Sequence, residues 1–253
     1  MIKIIKKVFL FYSLMLISCI GEGKSHNNIN NPPTKSFVKV LHNIKILNCV
    51  DDQNTSCQTG EWSRSGSGMS VEIISNKNTV ITAGHVCNIE VNEKIVKEHI
   101  QSVYVLDHQE TMHQAYVISH TSINNSQNSA DLCLLWVPSL NVPKVKISKN
   151  EPIVGEELYY IGAPAGIYHP PVAPIFKGVF SGKLDNSSSM FTAPAMGGSS
   201  GSAVLNSKNE LVGVLFAANV KFHHISLITN YYATIIFISK TLKELKTLDL
   251  STK

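Results

Sequence analysis

The chain has 253 residues, 43% of them hydrophobic and only 16% charged, a balance that describes a globular protein and excludes a disordered one. Its 22 basic and 18 acidic residues leave a net charge of +4. That charge is too mild and scattered to argue for nucleic acid, and no such partner is expected. About 230 residues remain once a leader is removed, enough for one domain with a substantial core.

The N-terminus reads as an export leader. Lys3, Lys6 and Lys7 precede an apolar run from Val8 to Ile17, too short to span a bilayer comfortably. The run ends at Leu16-Ile17-Ser18-Cys19, which resembles a bacterial lipobox, in which the cysteine is diacylated and becomes the new N-terminus. The alternative is an ordinary secretory leader in which Cys19 is incidental. Residues 1–19 are therefore read as leader and lipidation site, 20–36 as a polar, Asn/Ser/Pro-rich flexible tether, and 37–253 as the folded domain. Membrane contact would come only through the lipid, with the domain facing the periplasm or the cell exterior.

Beyond the tether, short apolar or alternating runs separated by turn clusters carry the all-β signature. Strands are expected at 68–74, 79–82, 102–106, 114–119 and 132–137, giving a first barrel over about 60–140. Ser75-Asn76-Lys77-Asn78 is a hairpin turn in this reading, and Asn124 to Ser129 a polar loop. Pro138 to Pro143 links to a second barrel over about 145–238, with strands at 145–148, 157–161, 175–181, 189–193, 202–206 and 211–217. One helix is expected at 239–248, where Thr241-x-x-Glu244 could form a capping box and Leu242, Leu245 and Leu248 share a stripe.

Three motifs punctuate this β-rich chain. Thr82-Ala83-Gly84-His85 ends a strand, Asp131-Leu132-Cys133-Leu134-Leu135 opens an apolar run, and Gly197-Gly198-Ser199-Ser200-Gly201-Ser202-Ala203-Val204 forms a Gly-x-Ser-Gly turn. About 46 residues separate His85 from Asp131 and about 69 separate Asp131 from Ser200, room for one small barrel between each pair. A histidine, an aspartate and a serine together suit nucleophilic acyl transfer. A serine hydroxyl is a poor nucleophile and needs a base within reach and a third group to orient that base. Ser200 is the candidate nucleophile, His85 the base and Asp131 its orienter. The amides of Gly198 and Ser200 are the candidate oxyanion donors. Asp107 is the rival carboxylate, read as sitting where a strand leaves the core for solvent.

On these residues the chain resembles the trypsin-like (chymotrypsin-fold) serine endopeptidases, closest in motif to the bacterial HtrA/Deg and glutamyl-endopeptidase branches. Gly66-Ser67-Gly68-Met69, Val80 to Val86, and Tyr160-Ile161-Gly162-Ala163-Pro164-Ala165-Gly166 match further motifs of those branches. The resemblance covers roughly residue 60 onward, without a PDZ-sized extension. It implies two six-stranded antiparallel barrels with a C-terminal helix, a cleft between them, and protein or peptide substrates without a cofactor. An aspartate precedes the serine in zymogen-type members; Ser199 stands there instead, so no activating cleavage is expected beyond leader removal. A catalytically silent binding protein on the same fold is the alternative function.

In the resembled family the floor of the primary pocket lies about six residues before the nucleophile. That points to Pro194, with Ala193, Ala195 and Met196 nearby, and to Phe216, Ala217 and Ala218 as the opposite wall, an apolar lining without fixed charge. With Cys19 set aside, Cys49, Cys57, Cys87 and Cys133 remain, an even number that suits two disulfides in an oxidising compartment, with three possible pairings. Cys49 and Cys57 flank a polar stretch that could be a hairpin tip. Cys87 and Cys133 each lie two residues after a candidate triad member, so a bridge between them, or two buried thiols, is the remaining choice. A metal site is not expected, because no Cys-x-x-Cys occurs and the ten histidines show no ligand cluster.

Overall fold

The structure is a computed structural model that describes residues 31–50, 57–121, 130–219, 221–222 and 224–251. The leader, Cys19, most of the tether and the Asn124–Ser129 loop lie outside the described residues. Among the described residues, twelve strands form two closed antiparallel barrels, ordered β1-β2-β3-β6-β5-β4 and β10-β11-β12-β9-β8-β7. The first contains β1 (Phe37–Cys49), β2 (Gly60–Val71), β3 (Thr79–Thr82), β4 (Val96–Leu106), β5 (Met112–Thr121) and β6 (Leu132–Trp136). The second contains β7 (Glu157–Ile161), β8 (Ile175–Lys183), β9 (Ser188–Thr192), β10 (Ala203–Leu205), β11 (Leu211–Ala218) and β12 (Ser226–Thr229). A helical turn, α1 (Gly84–Cys87), follows β3, and α2 (Tyr231–Ser251) closes the chain.

Each barrel encloses its own apolar filling. Val38, Val40, Val80, Val103, Val105 and Leu135 meet inside the first; Leu158, Tyr160, Phe191, Val204 and Leu215 meet inside the second. Small branched residues suit the first because β2 brings backbone very close at Gly68, where a Cβ would lie 2.9 Å from both Val40 and Val80 side chains. The linker between the barrels is itself hydrogen-bonded to both. Val145 N donates to Ser70 O, Leu211 N donates to Lys146 O, and Ser148 N donates to Leu211 O. Residues 145–148 therefore make isolated bridges in place of the expected strand.

Three boundaries differ from the sequence reading. The first barrel begins at Phe37 and not near residue 60, because β1 pairs with both β2 and β4 and is needed to close it. The tether shortens accordingly, since Thr34–Ser36 is a 3-10 turn with Ser36 buried. The helix starts at Tyr231, where the Asn230 side chain accepts from Tyr232 N at 2.9 Å as an N-cap. Thr241 is not a cap but an interior residue whose hydroxyl bonds back to Phe237 O. The run from Tyr231 to Ile238 is helical although its aromatic and β-branched residues have low helix propensity, which is why the sequence reading began the helix later.

Asp185 ties the β8–β9 turn, accepting from the amides and hydroxyls of both Ser187 and Ser188. The Ser188 hydroxyl, opposed by partial burial and aided by the other three donors, lowers its pKa from 3.8 to about 2. A carboxylate depressed on folding stabilises fully above its unfolded pKa, and that stabilisation is lost as pH falls through the folded value. Urea midpoints should therefore fall more steeply for wild type than for Asp185→Asn between pH 3.8 and about 2. Parallel titrations would show that the turn is not held by ionised Asp185.

Candidate active site

β3 delivers His85. It is paired along its whole length between β2 and β6, so its end is fixed, and α1 turns the chain there. Asp131 immediately precedes β6, whose Cys133 pairs with Thr82. The two elements are neighbours in the barrel, and this brings the two residues together. The Asp131 carboxylate is buried and binds His85 twice. Its Oδ1 accepts the His85 main-chain amide at 2.9 Å and its Oδ2 meets the ring Nδ1 at 2.5 Å. Fixing both the backbone and the ring leaves Nε2 as the histidine nitrogen that can exchange a proton. The imidazole is half exposed, while the carboxylate beneath it is covered. Gly84 makes room for the carboxylate: a Cβ there would sit 2.0 Å from Thr121 O and 2.6 Å from Asp131 Oδ1.

Ser200 lies in the turn before β10 and comes from the other barrel. That turn is pressed against the strand end that carries His85. Ser67 N donates to Ser200 O at 2.7 Å, and a Cβ on Gly201 would lie 2.0 Å from Ser67 O and 3.1 Å from Ala83 N. Gly201 also has φ +89°, so the position requires glycine on two counts. The Ser200 hydroxyl donates to the Phe216 carbonyl at 3.4 Å. Within the turn, Ser199 N donates to Met196 O, Gly201 N to Leu215 O and Ser202 N to Ser199 O. The amides of Gly198 and Ser200 take part in none of these bonds.

A cavity of about 210 Å³ opens beside Ser200, lined by Ala195, Met196, Gly197, Leu215, Ala217 and Ala218 together with Ser200 itself. Of the seven residues expected there, Ala195, Met196, Ala217 and Ala218 line the cavity, whereas Phe216, Pro194 and the fully buried Ala193 do not. Phe216 is displaced by a bulge between Leu215 and Ala217 in the β11–β12 pairing, and its side chain packs against the first barrel's core. Leu215 takes its place on the wall. Pro194 offers its carbonyl to the Tyr160 hydroxyl, behind the lining. A larger cavity, about 540 Å³, lies in the first barrel around His42 and Gln101 and includes none of the three candidate residues.

The rival carboxylate Asp107 is buried, contrary to the solvent-facing position read from sequence. It accepts from the Gln109 and Thr111 amides and pairs with His113 at 3.0 Å, organising the β4–β5 hairpin. Burial opposes its ionisation, but the hydrogen bonds from His113, Thr111 and Gln109 outweigh it and lower the pKa. Ser139, itself exposed, extends the buried Asp107–His113 pair through a contact with His113 Nδ1 at 2.9 Å, a partner for which the sequence carried no signal.

All four described cysteines are bridged, Cys49 to Cys57 and Cys87 to Cys133. The second bridge crosses from α1 to β6, so it joins the elements bearing His85 and Asp131. It closes a loop of 46 residues. By chain entropy that is about 4 kcal/mol of stabilisation, and the Cys87→Ser/Cys133→Ser pair should lose roughly that much in denaturant unfolding. A loss below about 1 kcal/mol would show that the bridge does not constrain the unfolded chain.

The comparisons agree with this architecture. No curated protein sequence matches the chain. Among solved structures, a serine endoprotease from Yersinia pestis is 18% identical with a TM-score of 0.61, over 87% of this chain and 68% of that one. A protease of Mycobacterium tuberculosis in its active form is 18% identical with a TM-score of 0.62, over 86% and 87% of the two chains. The inactive form of the latter has a TM-score of 0.58 at 17% identity, over 85% and 93%. These likenesses establish the fold. The model of the trypsin-like peptidase domain matches residues 66–214, which is more than half of the chain. With that match spanning His85, Asp131 and Ser200, the chain belongs to the trypsin-like peptidase family and is a serine-type endopeptidase.

Proposed function

We propose that the protein is an exported serine endopeptidase in which Ser200, His85 and Asp131 act as one unit. The observation that carries this reading is the double hold of Asp131 on His85, with the Ser200 turn packed against the same strand end. His85 Nε2 takes the proton from Ser200 Oγ as that oxygen bonds to the substrate carbonyl carbon. The resulting imidazolium is stabilised by the Asp131 carboxylate, which accepts from Nδ1–H throughout. The tetrahedral oxyanion is received by the amides of Gly198 and Ser200. The imidazolium then gives its proton to the leaving nitrogen as the C–N bond breaks. Water, deprotonated by the same histidine, releases the acyl group and restores Ser200.

The buried Ser199, in place of an aspartate, has no carboxylate to pair with a newly freed N-terminal amine. Activity without N-terminal processing of the domain follows from this. Two disulfides suit an oxidising compartment and so support export. Among the described residues no helix is long and apolar enough to cross a membrane. Attachment through a lipid on Cys19 is our reading of the lipobox-like Leu16–Cys19, and a Cys19→Ala variant that still takes up labelled fatty acid would refute it.

The cavity beside Ser200 bears no charged side chain, so a substrate Lys, Arg or Glu would be desolvated there without a partner. Small and medium apolar residues before the scissile bond are favoured, with broad selection because methylene-scale differences are worth only about 1–3 kcal/mol. A peptide library cleaved by the 25–253 fragment should return this profile; dominance of Arg, Lys or Glu would refute the pocket. In the same assay Ser200→Ala and His85→Ala should each lower kcat by roughly 10⁵- to 10⁶-fold, and Asp131→Asn by about 10⁴-fold. The double variant should lose little more than either single one. Turnover of Ser200→Ala close to wild type would end the assignment.

A further inference from the structure

We propose that Ser67, on β2 of the first barrel, is the positioning residue of the oxyanion hole in the second; this rests on the peptidase reading above. In a trans peptide the C=O and N–H point in opposite directions, so fixing one aims the other. The carbonyl of Gly197 accepts from Ala165 N at 2.6 Å. The N–H of Gly198, in the same peptide plane, is thereby turned away from the 163–166 segment. The next carbonyl, that of Gly198, accepts from the Ser67 hydroxyl at 2.8 Å, and the paired N–H of Ser199 points oppositely to Met196 O at 2.9 Å. The first plane is thus held at its carbonyl and the second at both its carbonyl and its N–H, and the Gly198 amide is left as the donor.

The direction of the Ser67 hydrogen bond is determined. Its oxygen accepts from Ala163 N at 3.0 Å, an amide that can only donate. The single hydroxyl proton is therefore committed to Gly198 O. The backbone of Ser67 is occupied as well. Its N donates to Ser200 O, and its O accepts from the buried Thr82 hydroxyl at 2.7 Å, three residues before His85. One fully buried residue thus touches the backbone of both candidate oxyanion-donor residues, the 163–166 segment and the strand that delivers the base.

The site needs such a hold. Gly197-Gly198 is the least conformationally restricted dipeptide possible, and Gly198 sits at φ +93°. A side chain cannot stiffen it, because a Cβ there would lie 2.3 Å from Ala163 O. Orientation must come from outside the turn. Removing the Ser67 hydroxyl strips Gly198 O of its donor and Ala163 N of its acceptor at once: the plane after Gly198 loses its hold, and so does the segment whose Ala165 N fixes the plane bearing the Gly198 amide.

Oxyanion donors act on charge that develops only in the transition state, so the effect falls on kcat and not on KM. Ser67→Ala should lower kcat about 10- to 100-fold with KM changed by less than about twofold. Affinity for a peptide boronate, whose tetrahedral adduct on Ser200 places an oxygen in the hole, should fall by a similar factor. Ser67→Cys keeps the side chain's shape with a larger atom but offers a poor donor, and should match Ser67→Ala if hydrogen bonding matters. Full kcat in Ser67→Cys, kcat within about twofold of wild type in Ser67→Ala, or an unchanged boronate affinity would each overturn the proposal. A wild type that neither cleaves peptides nor binds the boronate would instead overturn the peptidase reading itself.

Discussion

The carboxylate of Asp131 is buried just before the start of β6 and accepts two hydrogen bonds from one residue, from the amide and the ring of His85. Much of the first barrel can be understood as support for that contact. A buried carboxylate is costly unless its oxygens are satisfied, and here each has a donor from His85. The contact requires β3 and β6 to be neighbours, which is their place in the barrel order. It requires the absence of a side chain at Gly84, where any Cβ would intrude on Asp131 Oδ1. The Cys87–Cys133 bridge then ties the same two elements covalently, two residues beyond each partner.

The second barrel contributes a turn with little intrinsic preference for its own shape. Gly197, Gly198 and Gly201 permit the backbone path, and the two with positive φ could not be replaced without collision. What gives the turn one conformation is its surroundings: Ser67 from the first barrel, Ala163 and Ala165 from the segment after β7, and Leu215 from β11. Flexibility in sequence and rigidity in place coexist because the constraint is tertiary. In the mechanism we propose the division has a chemical use, since preorganised donors stabilise a transition state without reorganising when charge appears.

The sequence was legible where chemistry demands particular residue types at particular spacings. His85, Asp131 and Ser200 stand in motifs whose glycines and apolar flanks announce a strand end and a tight turn; the strand rhythm marks the chain as all-β, and the resemblance carried by those motifs implied the two barrels. It was less legible where tertiary context decides. β1 carries Lys39, His42, Asn43 and Lys45 among its apolar residues, and its period-2 pattern of Val38, Val40 and Ile44 is easily lost beside a polar tether. The register of Phe216 depended on a bulge with no local marker. Asp107 looked like a strand terminus because its partner, His113, comes from the following strand. Ser67 was visible only as part of a Gly-Ser-Gly motif; its bonds to residues 163, 198 and 200 exist only after the barrels meet.

The central claim is that Ser200 is nucleophilic because His85 makes it so, and reaction with a fluorophosphonate reads this directly. Wild-type protein should take up one equivalent, mapped by peptide mass to Ser200. His85→Ala should label slower by orders of magnitude, and Ser200→Ala should not label at the turn. An adduct on another serine in wild type, or equal labelling rates with and without the imidazole of His85, would contradict the account.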